Sequence, residues 1–112
     1  MCGIAGILSD RSREETVRSM CDSMVTRGPD EEGFHSQNGI SLGIRRLSII
    51  DPEGGHQPVY NDSRTIGAVC NGEIYNHREL REELGQNGYD VTSGSDVAVL
   101  PYLYQIHGTD FV

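Results

Sequence analysis

The sequence predicts one mixed α and β domain, and three observations support this class. Short apolar runs of strand length are interleaved with two or three amphipathic helical segments, a pattern typical of domains in which helices pack on a sheet. The length of 112 residues suits a single domain. The sequence contains no repeat, linker or low-complexity tract that would divide it. It stops on an apolar residue, Val112, so we expect the domain to continue beyond this segment.

The first half of the chain gives clear signals for a strand and a helix. The apolar run Gly3–Leu8 predicts a buried strand. Apolar residues recur at helical spacing over 13–26 and predict an amphipathic helix, with Cys21 as a core thiol on its apolar face. The expected elements that follow are a turn at 27–30, strands at 33–35, 40–45 and 47–50, and a Gly- and Pro-rich loop at 52–58.

The second half continues the alternation of strands and helices. A buried strand is expected at 65–69, with Cys70 packed at its end. Asn76 is expected to cap the next helix, with Glu79 as its capping-box partner and Gly88 as the terminator. The remaining predictions are a brief strand at 89–91 and a last helix that opens at 93–96 and is kinked or started late by Pro101.

Composition excludes several classes of function. Nine basic against seventeen acidic residues give a net charge of −8, which argues against a nucleic-acid partner. The three cysteines are odd in number and widely spaced, which favours a reducing compartment, the cytoplasm. They form no metal-ligand spacing with the four histidines, so we expect no metal site. No segment reaches the roughly 18 apolar residues of a membrane span, so we expect no membrane association.

Cys2 is the strongest candidate for a catalytic residue, because it directly follows the initiator Met1. Removal of Met1 would leave a cysteine with a free α-amino group, which combines a thiol nucleophile and a base in one residue. The two groups ordinarily titrate at about 8.5 and about 7.7–8.0, so proton transfer between them costs little near neutral pH. The alternative is that Cys2 is an incidental second residue.

Arg46 is a candidate for binding a carboxylate. It stands at the mouth of an apolar run, where its guanidinium could hold a carboxylate in bidentate fashion. The alternative is an ordinary surface charge. The neighbouring Arg45 is expected to be solvated.

Asn71 and Gly72 form a second candidate site, just after the strand predicted at 65–69. A side-chain amide and a backbone N–H that leave a strand together could form a two-donor oxyanion hole. The alternative is an ordinary Asn-Gly turn between strands. Glu73 and Asp96 supply carboxylates suited to an ammonium group, although Asp96 could equally cap a helix.

Six motifs occur in a fixed order: Cys2-Gly3-Ile4, Arg27-Gly28-Pro29-Asp30, Arg46-Leu47-Ser48-Ile49-Ile50-Asp51, Gly55-His56-Gln57-Pro58, Asn71-Gly72-Glu73-Ile74-Tyr75-Asn76-His77 and Gly94-Ser95-Asp96. This series resembles the glutaminase domain of glutamine-dependent asparagine synthetases, a class II amidotransferase domain of the N-terminal nucleophile hydrolase type. The first motif is shared with other class II amidotransferases, whereas the second and fifth are specific to the asparagine-synthetase branch. The resemblance covers essentially the whole chain.

The resemblance implies a fold and a reaction. The fold is an α+β sandwich of two antiparallel sheets between helical layers, here truncated to the N-terminal portion of the glutaminase domain over residues 1–112. The reaction is hydrolysis of L-glutamine to glutamate and ammonia. Cys2 would attack the side-chain amide carbon, with its own α-amine as general base, and Asn71 and Gly72 would stabilise the oxyanion.

The resemblance also implies how glutamine is held. Arg46 would bind the α-carboxylate, and Glu73 and Asp96 would bind the α-ammonium group. The aliphatic stem would lie against the segment formed by Leu47, Ile49 and Ile50. Arg45 departs from the family, in which an acidic residue is common at this position, and this changes the charge beside Arg46.

The remaining partners implied by the family lie outside this chain. A C-terminal synthetase domain would bind ATP, Mg²⁺ and aspartate, receive the ammonia and form asparagine, and a homodimer is compatible with the family. No cofactor is expected in the chain itself. Two alternatives stay open: an amidotransferase for another acceptor, such as a sugar or a β-lactam precursor, and a non-catalytic fragment that keeps the fold as a binding module.

Overall fold

A computed structural model of the protein describes residues 1–48 and 55–112. Within these two ranges it confirms the α+β class, with two antiparallel sheets and three α-helices. The elements are β1 (Gly3–Leu8), α1 (Glu14–Asp22), β2 (Glu31–Gln37), β3 (Ile40–Arg46), β4 (Val59–Tyr60), β5 (Gly67–Ala68), α2 (His77–Gln86), a 3₁₀ turn (Asp96–Val99), α3 (Leu100–His107) and a second 3₁₀ turn (Gly108–Phe111).

The larger sheet has the strand order β1-β3-β2 and is antiparallel throughout. Its first strand has the bounds predicted from the apolar run, and β2 and β3 contain the strands predicted at 33–35 and 40–45. The hairpin between β2 and β3 turns through Asn38 and Gly39, which both have positive φ angles of 52° and 79°. Two consecutive residues of this conformation match the right-handed twist of the strands that they connect.

Helix α1 covers one face of this sheet. Val17 and Cys21 are fully buried, which confirms Cys21 as a core thiol. Gly43 of β3 lies directly beneath them, and a Cβ atom there would stand 2.6 Å from the Cys21 Sγ atom. The helix ends at Asp22, earlier than the predicted residue 26, and hydrogen-bonded turns then lead into the segment before Pro29. Proline disfavours helical geometry in the residue that precedes it.

A second core forms between α2 and α3, around Leu84, Val99, Tyr102 and Leu103. Helix α2 begins directly after Asn76, as predicted. The capping box is wrong, because in the described chain Asn76 makes no side-chain capping bond.

The predicted terminator of α2 is confirmed. Gly88 has a φ of 87°, and its N–H donates to the Gly85 carbonyl at 3.1 Å. The Tyr89 N–H donates to the Leu84 carbonyl at 3.0 Å. These two bonds form a Schellman motif, in which a glycine accepts the left-handed conformation.

Other predicted elements differ from the structure. The buried strand at 65–69 is wrong: only Gly67–Ala68 pairs, with Val59–Tyr60, and this segment is exposed or half-buried. Within the described residues, 89–91 pairs with no strand. Leu47 and Ser48 follow β3 without extending it. Residues 49–50 of the strand predicted at 47–50, and residues 52–54 of the loop predicted at 52–58, lie outside the described residues.

The last predicted helix starts late, as expected from Pro101. The chain first makes the 3₁₀ turn Asp96–Val99, and α3 then begins at Leu100 with Pro101 in its first turn. Proline is tolerated there because the N–H that it lacks would have no partner inside the helix. Among residues 1–48 and 55–112, no helix is long and apolar enough to cross a membrane.

Candidate active site

A cleft of about 310 Å³ opens where the start of β1, the end of β3 and the segments 70–75 and 95–97 meet. It brings together seven of the nine site residues predicted from the sequence. Ile49 and Ile50, the other two, lie outside the described residues. The full lining is Met1, Cys2, Arg46, Leu47, Gln57, Cys70, Asn71, Gly72, Glu73, Tyr75, Ser95, Asp96 and Val97.

Cys2 lies in this cleft because the antiparallel register pairs Gly3 with Arg45, so the start of β1 meets the end of β3. Its half-buried Sγ atom accepts a hydrogen bond from the Leu47 N–H at 3.4 Å and donates to the Leu47 carbonyl at 3.9 Å. The Cys2 carbonyl accepts from Arg27 Nε at 3.3 Å. The thiol therefore contacts the Leu47 main chain just after β3, and the Cys2 main chain is held by Arg27.

Arg46 is buried, with 5% of its surface exposed. It faces Glu31 across the β2–β3 register and forms an ion pair with that carboxylate through Nη1. The other carboxylate oxygen of Glu31 contacts His56 Nδ1. The interpretation of Arg46 as an ordinary surface charge is wrong, because its guanidinium is buried in the wall of the cleft.

Arg45 is packed, so the expectation that it is solvated is wrong. Its Nε donates to the Gly28 carbonyl and its Nη1 to Glu32 Oε2, both at 2.9 Å, and only 11% of the side chain is exposed. The 27–30 turn is also held by Asp30, whose Oδ2 accepts from the Ser48 N–H at 2.8 Å. The bonds from Arg45 to Gly28 and from Ser48 to Asp30 hold the turn against the end of β3, beside Cys2.

Asn71, Gly72 and Glu73 form one exposed edge of the cleft. Asn71 and Gly72 lie between β5 and α2, so the interpretation as a turn between strands is wrong. The preceding residue, Cys70, is fixed by the Gln57 side chain, which accepts from the Cys70 N–H at 2.7 Å and donates to its carbonyl at 3.3 Å.

Asp96 is buried in the wall of the cleft, with 5% of its surface exposed. Its Oδ2 accepts from the Ile74 N–H at 2.7 Å and so joins the 71–75 segment to the 3₁₀ turn. The helix-cap interpretation is wrong, because Ser95 occupies the cap position. Arg81 of α2 supports this arrangement by donating to the carbonyls of Val91, at 2.8 Å, and of Ser95.

The cleft also contains residues that sequence reasoning missed. Cys70, expected to pack at a strand end, is half-buried in the cleft wall. Burial raises the pKa of its thiol, and the charges of Asp96 and Cys2 add to the increase. Gln57, Tyr75 and Ser95 belong to motifs that the sequence analysis recognised, and this membership was the available signal. The remaining missed residues are Met1 and Val97.

The arrangement offers a thiol, a paired guanidinium, two carboxylates and an exposed Asn-Gly backbone within one cleft. A ligand with both a carboxylate and an ammonium group would find groups of opposite charge there. In the described part of the chain, no group of three or more His, Cys, Asp or Glu residues is arranged to hold a metal ion.

The chain belongs to the glutamine amidotransferase domain family, which it matches over residues 1–112. The glutamine-hydrolyzing asparagine synthetase of Asparagus officinalis is 44% identical over 116 residues, which covers 100% of this chain and 19% of that protein. Asparagine synthetase 3 of Arabidopsis thaliana is 39% identical, with 100% and 20% covered.

A bacterial relative gives the same result. Asparagine synthetase 1 of Bacillus subtilis is 40% identical over 111 residues, which covers 94% of this chain and 18% of that protein. The chain thus spans about a fifth of the length of the curated relatives that it matches.

Proposed function

We propose that this chain hydrolyses glutamine to glutamate and ammonia, with Cys2 as the nucleophile once Met1 has been removed. The observation that carries the proposal is the cleft itself, in which Cys2 lies together with Arg46, Asn71 and Asp96 from distant parts of the sequence. Family membership supports the same substrate.

The reaction begins with a proton transfer within Cys2, from the thiol to the α-amine. The thiolate attacks the side-chain amide carbon of glutamine, and the amide oxygen becomes an oxyanion. The Asn71 side-chain amide and the Gly72 backbone N–H donate to this oxyanion. The protonated α-amine then gives its proton to the departing ammonia, which leaves a γ-glutamyl thioester on Cys2. Water hydrolyses the thioester to glutamate and regenerates the thiol.

Substrate orientation depends on the charged groups of the cleft. Arg46 uses one nitrogen, Nη1, for Glu31, and the other donors of its guanidinium are assigned to the glutamine α-carboxylate. Glu73 and Asp96 are assigned to the α-ammonium group. Leu47 packs beside the aliphatic stem, together with Ile49 and Ile50, which are assigned by family resemblance alone.

The relatives support a larger role, because they are named glutamine-hydrolyzing asparagine synthetases. We infer that residues 1–112 are part of the glutaminase domain of such an enzyme. A separate synthetase domain would use ATP and Mg²⁺ to convert aspartate to asparagine with the released ammonia. The names favour this acceptor over a sugar or a β-lactam precursor. The three free cysteines suit the cytoplasm.

The proposal is tested by measuring glutamate release from glutamine by purified protein whose Met1 has been removed, as verified by mass. Cys2→Ala should abolish release. The matched control is Cys21→Ala, which removes a thiol from the core outside the cleft and should lower stability while glutamate release persists in the folded protein. A wild-type protein that lacks Met1, is folded and releases no glutamate would support the non-catalytic alternative instead.

A further inference from the structure

Glu31 and Arg46 form a buried ion pair that the substrate roles assigned above do not use. They are register partners on neighbouring strands, β2 and β3, so the backbone pairing itself brings the two side chains together. Only 6% of the Arg46 side chain and 19% of the Glu31 side chain is exposed. A buried ion pair of this kind has a fixed geometry, because leaving either charge without its partner is costly.

The second oxygen of the Glu31 carboxylate is also engaged. It contacts Nδ1 of His56, whose side chain is largely exposed and is not part of the cleft lining. The carboxylate is therefore held between a cation in the cleft wall and an imidazole at the surface. This second contact limits the rotation of Glu31 and, through it, of the Arg46 guanidinium.

Two other carboxylates could compete for Arg46. Glu73 and Asp96 line the same cleft, and a guanidinium released from Glu31 would be attracted to them. Arg46 paired with Glu73 or Asp96 would no longer be free to bind the α-carboxylate of the substrate. The carboxylate in that pair would also be unavailable to the α-ammonium group.

We propose that Glu31 is a positioning residue that sets the affinity of the cleft for the α-carboxylate of glutamine, by holding Arg46 away from the cleft carboxylates. This inference rests on the proposed function. It assigns a role to a residue that lies outside the six sequence motifs. Glu31 itself does not touch the substrate.

The test compares Glu31→Gln with Glu32→Gln in steady-state glutamine hydrolysis. Glu32 is the adjacent residue on β2, pairs with Arg45 in the same register and has an exposed side chain on the other face of the sheet. Glu31→Gln should raise KM for glutamine on the order of tenfold, with kcat changed much less. Glu32→Gln should leave both constants close to wild type. Glu31→Asp, which keeps the charge on a shorter arm, should give an intermediate KM.

A second substrate separates positioning from a general structural effect. Butanamide is glutamine without its α-carboxylate and its α-ammonium group, so its hydrolysis depends neither on how Arg46 is held nor on which cleft carboxylate Arg46 pairs with. Glu31→Gln should lower kcat/KM for glutamine and leave that for butanamide within about twofold of wild type. Equal losses for both substrates, or an unchanged KM for glutamine, would overturn the assignment while the proposed function stands.

Two further outcomes are informative. If Glu31→Gln does not fold, Glu31→Asp decides: a raised KM for glutamine alone supports the assignment, and wild-type constants overturn it. If neither the wild type nor Glu32→Gln releases glutamate, the proposed function fails and the role of Glu31 fails with it.

Discussion

The Gln57 side chain pairs with the Cys70 main chain at the position where the β4–β5 ladder would continue. The register pairs Val59 with Ala68 and Tyr60 with Gly67, and extending it would set Gln57 opposite Cys70. Pro58 has no N–H to continue the ladder. The Gln57 amide instead supplies one acceptor and one donor to Cys70, at 2.7 and 3.3 Å. A side chain therefore fixes the backbone immediately before the proposed oxyanion hole.

Loss of the two hydrogen bonds between the Gln57 side chain and the Cys70 main chain should reduce catalysis. Gln57→Ala leaves the Cys70 backbone without its partner and frees Asn71 to shift, so we expect kcat for glutamine hydrolysis to fall between about 10- and 100-fold. Gln57→Glu keeps the acceptor and loses the donor, and should lie between Gln57→Ala and wild type. Gln86→Ala, at the exposed end of α2, is the control. A Gln57→Ala protein with wild-type kcat would contradict this role.

Gly33 should tolerate no side chain. It pairs with Ile44 in the sheet, and a Cβ atom added to it would overlap the Gln57 carbonyl oxygen and lie 2.8 Å from the carbonyl carbon. We expect Gly33→Ala to lower the free energy of unfolding by about 2–4 kcal/mol. The control is Gly85→Ala within α2, where a Cβ meets open space among the described residues, and which should stabilise by about 0.5–1 kcal/mol. Urea titration measures both values, and equal effects would contradict the packing described.

Stability should fall at alkaline pH through Tyr102. The pKa of Tyr102 is raised to about 12. Burial is the largest cause, and the second is the hydrogen bond from the Tyr102 hydroxyl to Asp62 Oδ1 at 2.8 Å. An unfolded tyrosine titrates at about 10. The folded state therefore holds this proton more tightly, and its contribution is complete below about pH 10 and lost as pH rises through about 12.

The corresponding experiment compares unfolding free energies at pH 9 and at pH 12. The wild type should lose roughly 2–3 kcal/mol more than Tyr102→Phe over this interval, since the variant has no proton to lose there. Tyr104→Phe, at a partly exposed position on α3, should behave like the wild type. Identical pH dependences for wild type and Tyr102→Phe would show that this tyrosine titrates equally in both states.

The three thiols should react at different rates with a small alkylating reagent. Cys21 is fully buried, and burial raises its pKa. Burial also raises the pKa of Cys70, which lowers its thiolate fraction at neutral pH. We expect Cys2 to be modified first, Cys70 more slowly and Cys21 only on unfolding, as followed by peptide mapping over time. Faster labelling of Cys70 than of Cys2 would contradict this order.

The sequence predicts the elements that depend on local pattern. The apolar run of β1, the start of α2 after Asn76 and its end at Gly88, and the late start of α3 at Pro101 are each dictated by neighbouring residues, and the structure confirms them. Motif order likewise predicted a set of site residues, and the described members of this set line one cleft.

Two predictions were wrong because side-chain bonds override the pattern of apolar and charged residues. The segment 65–69 looks like a strand by composition, but the N–H groups of Thr65 and Ile66 donate to Asn61 Oδ1 at 2.9 and 3.0 Å. This side chain takes the bonds that a strand partner would use, and only Gly67–Ala68 is left to pair. The sequence predicts a solvated Arg45, but the strand register places Arg45 opposite Glu32. The first wrong prediction arises from a local side-chain bond, since Asn61 lies four residues before Thr65, whereas the second depends on a strand pairing between residues thirteen positions apart.

The central claim is that Cys2, freed of Met1, attacks the side-chain amide carbon of glutamine in this cleft. Its most direct test treats the purified protein with a glutamine analogue that carries an electrophilic carbon at the amide position, followed by intact-mass measurement and peptide mapping. The account predicts a single adduct, located on a Cys2 that has lost Met1 and suppressed by excess glutamine. An adduct on Cys70 that glutamine does not suppress, or no adduct on folded protein from which Met1 has been removed, would contradict it.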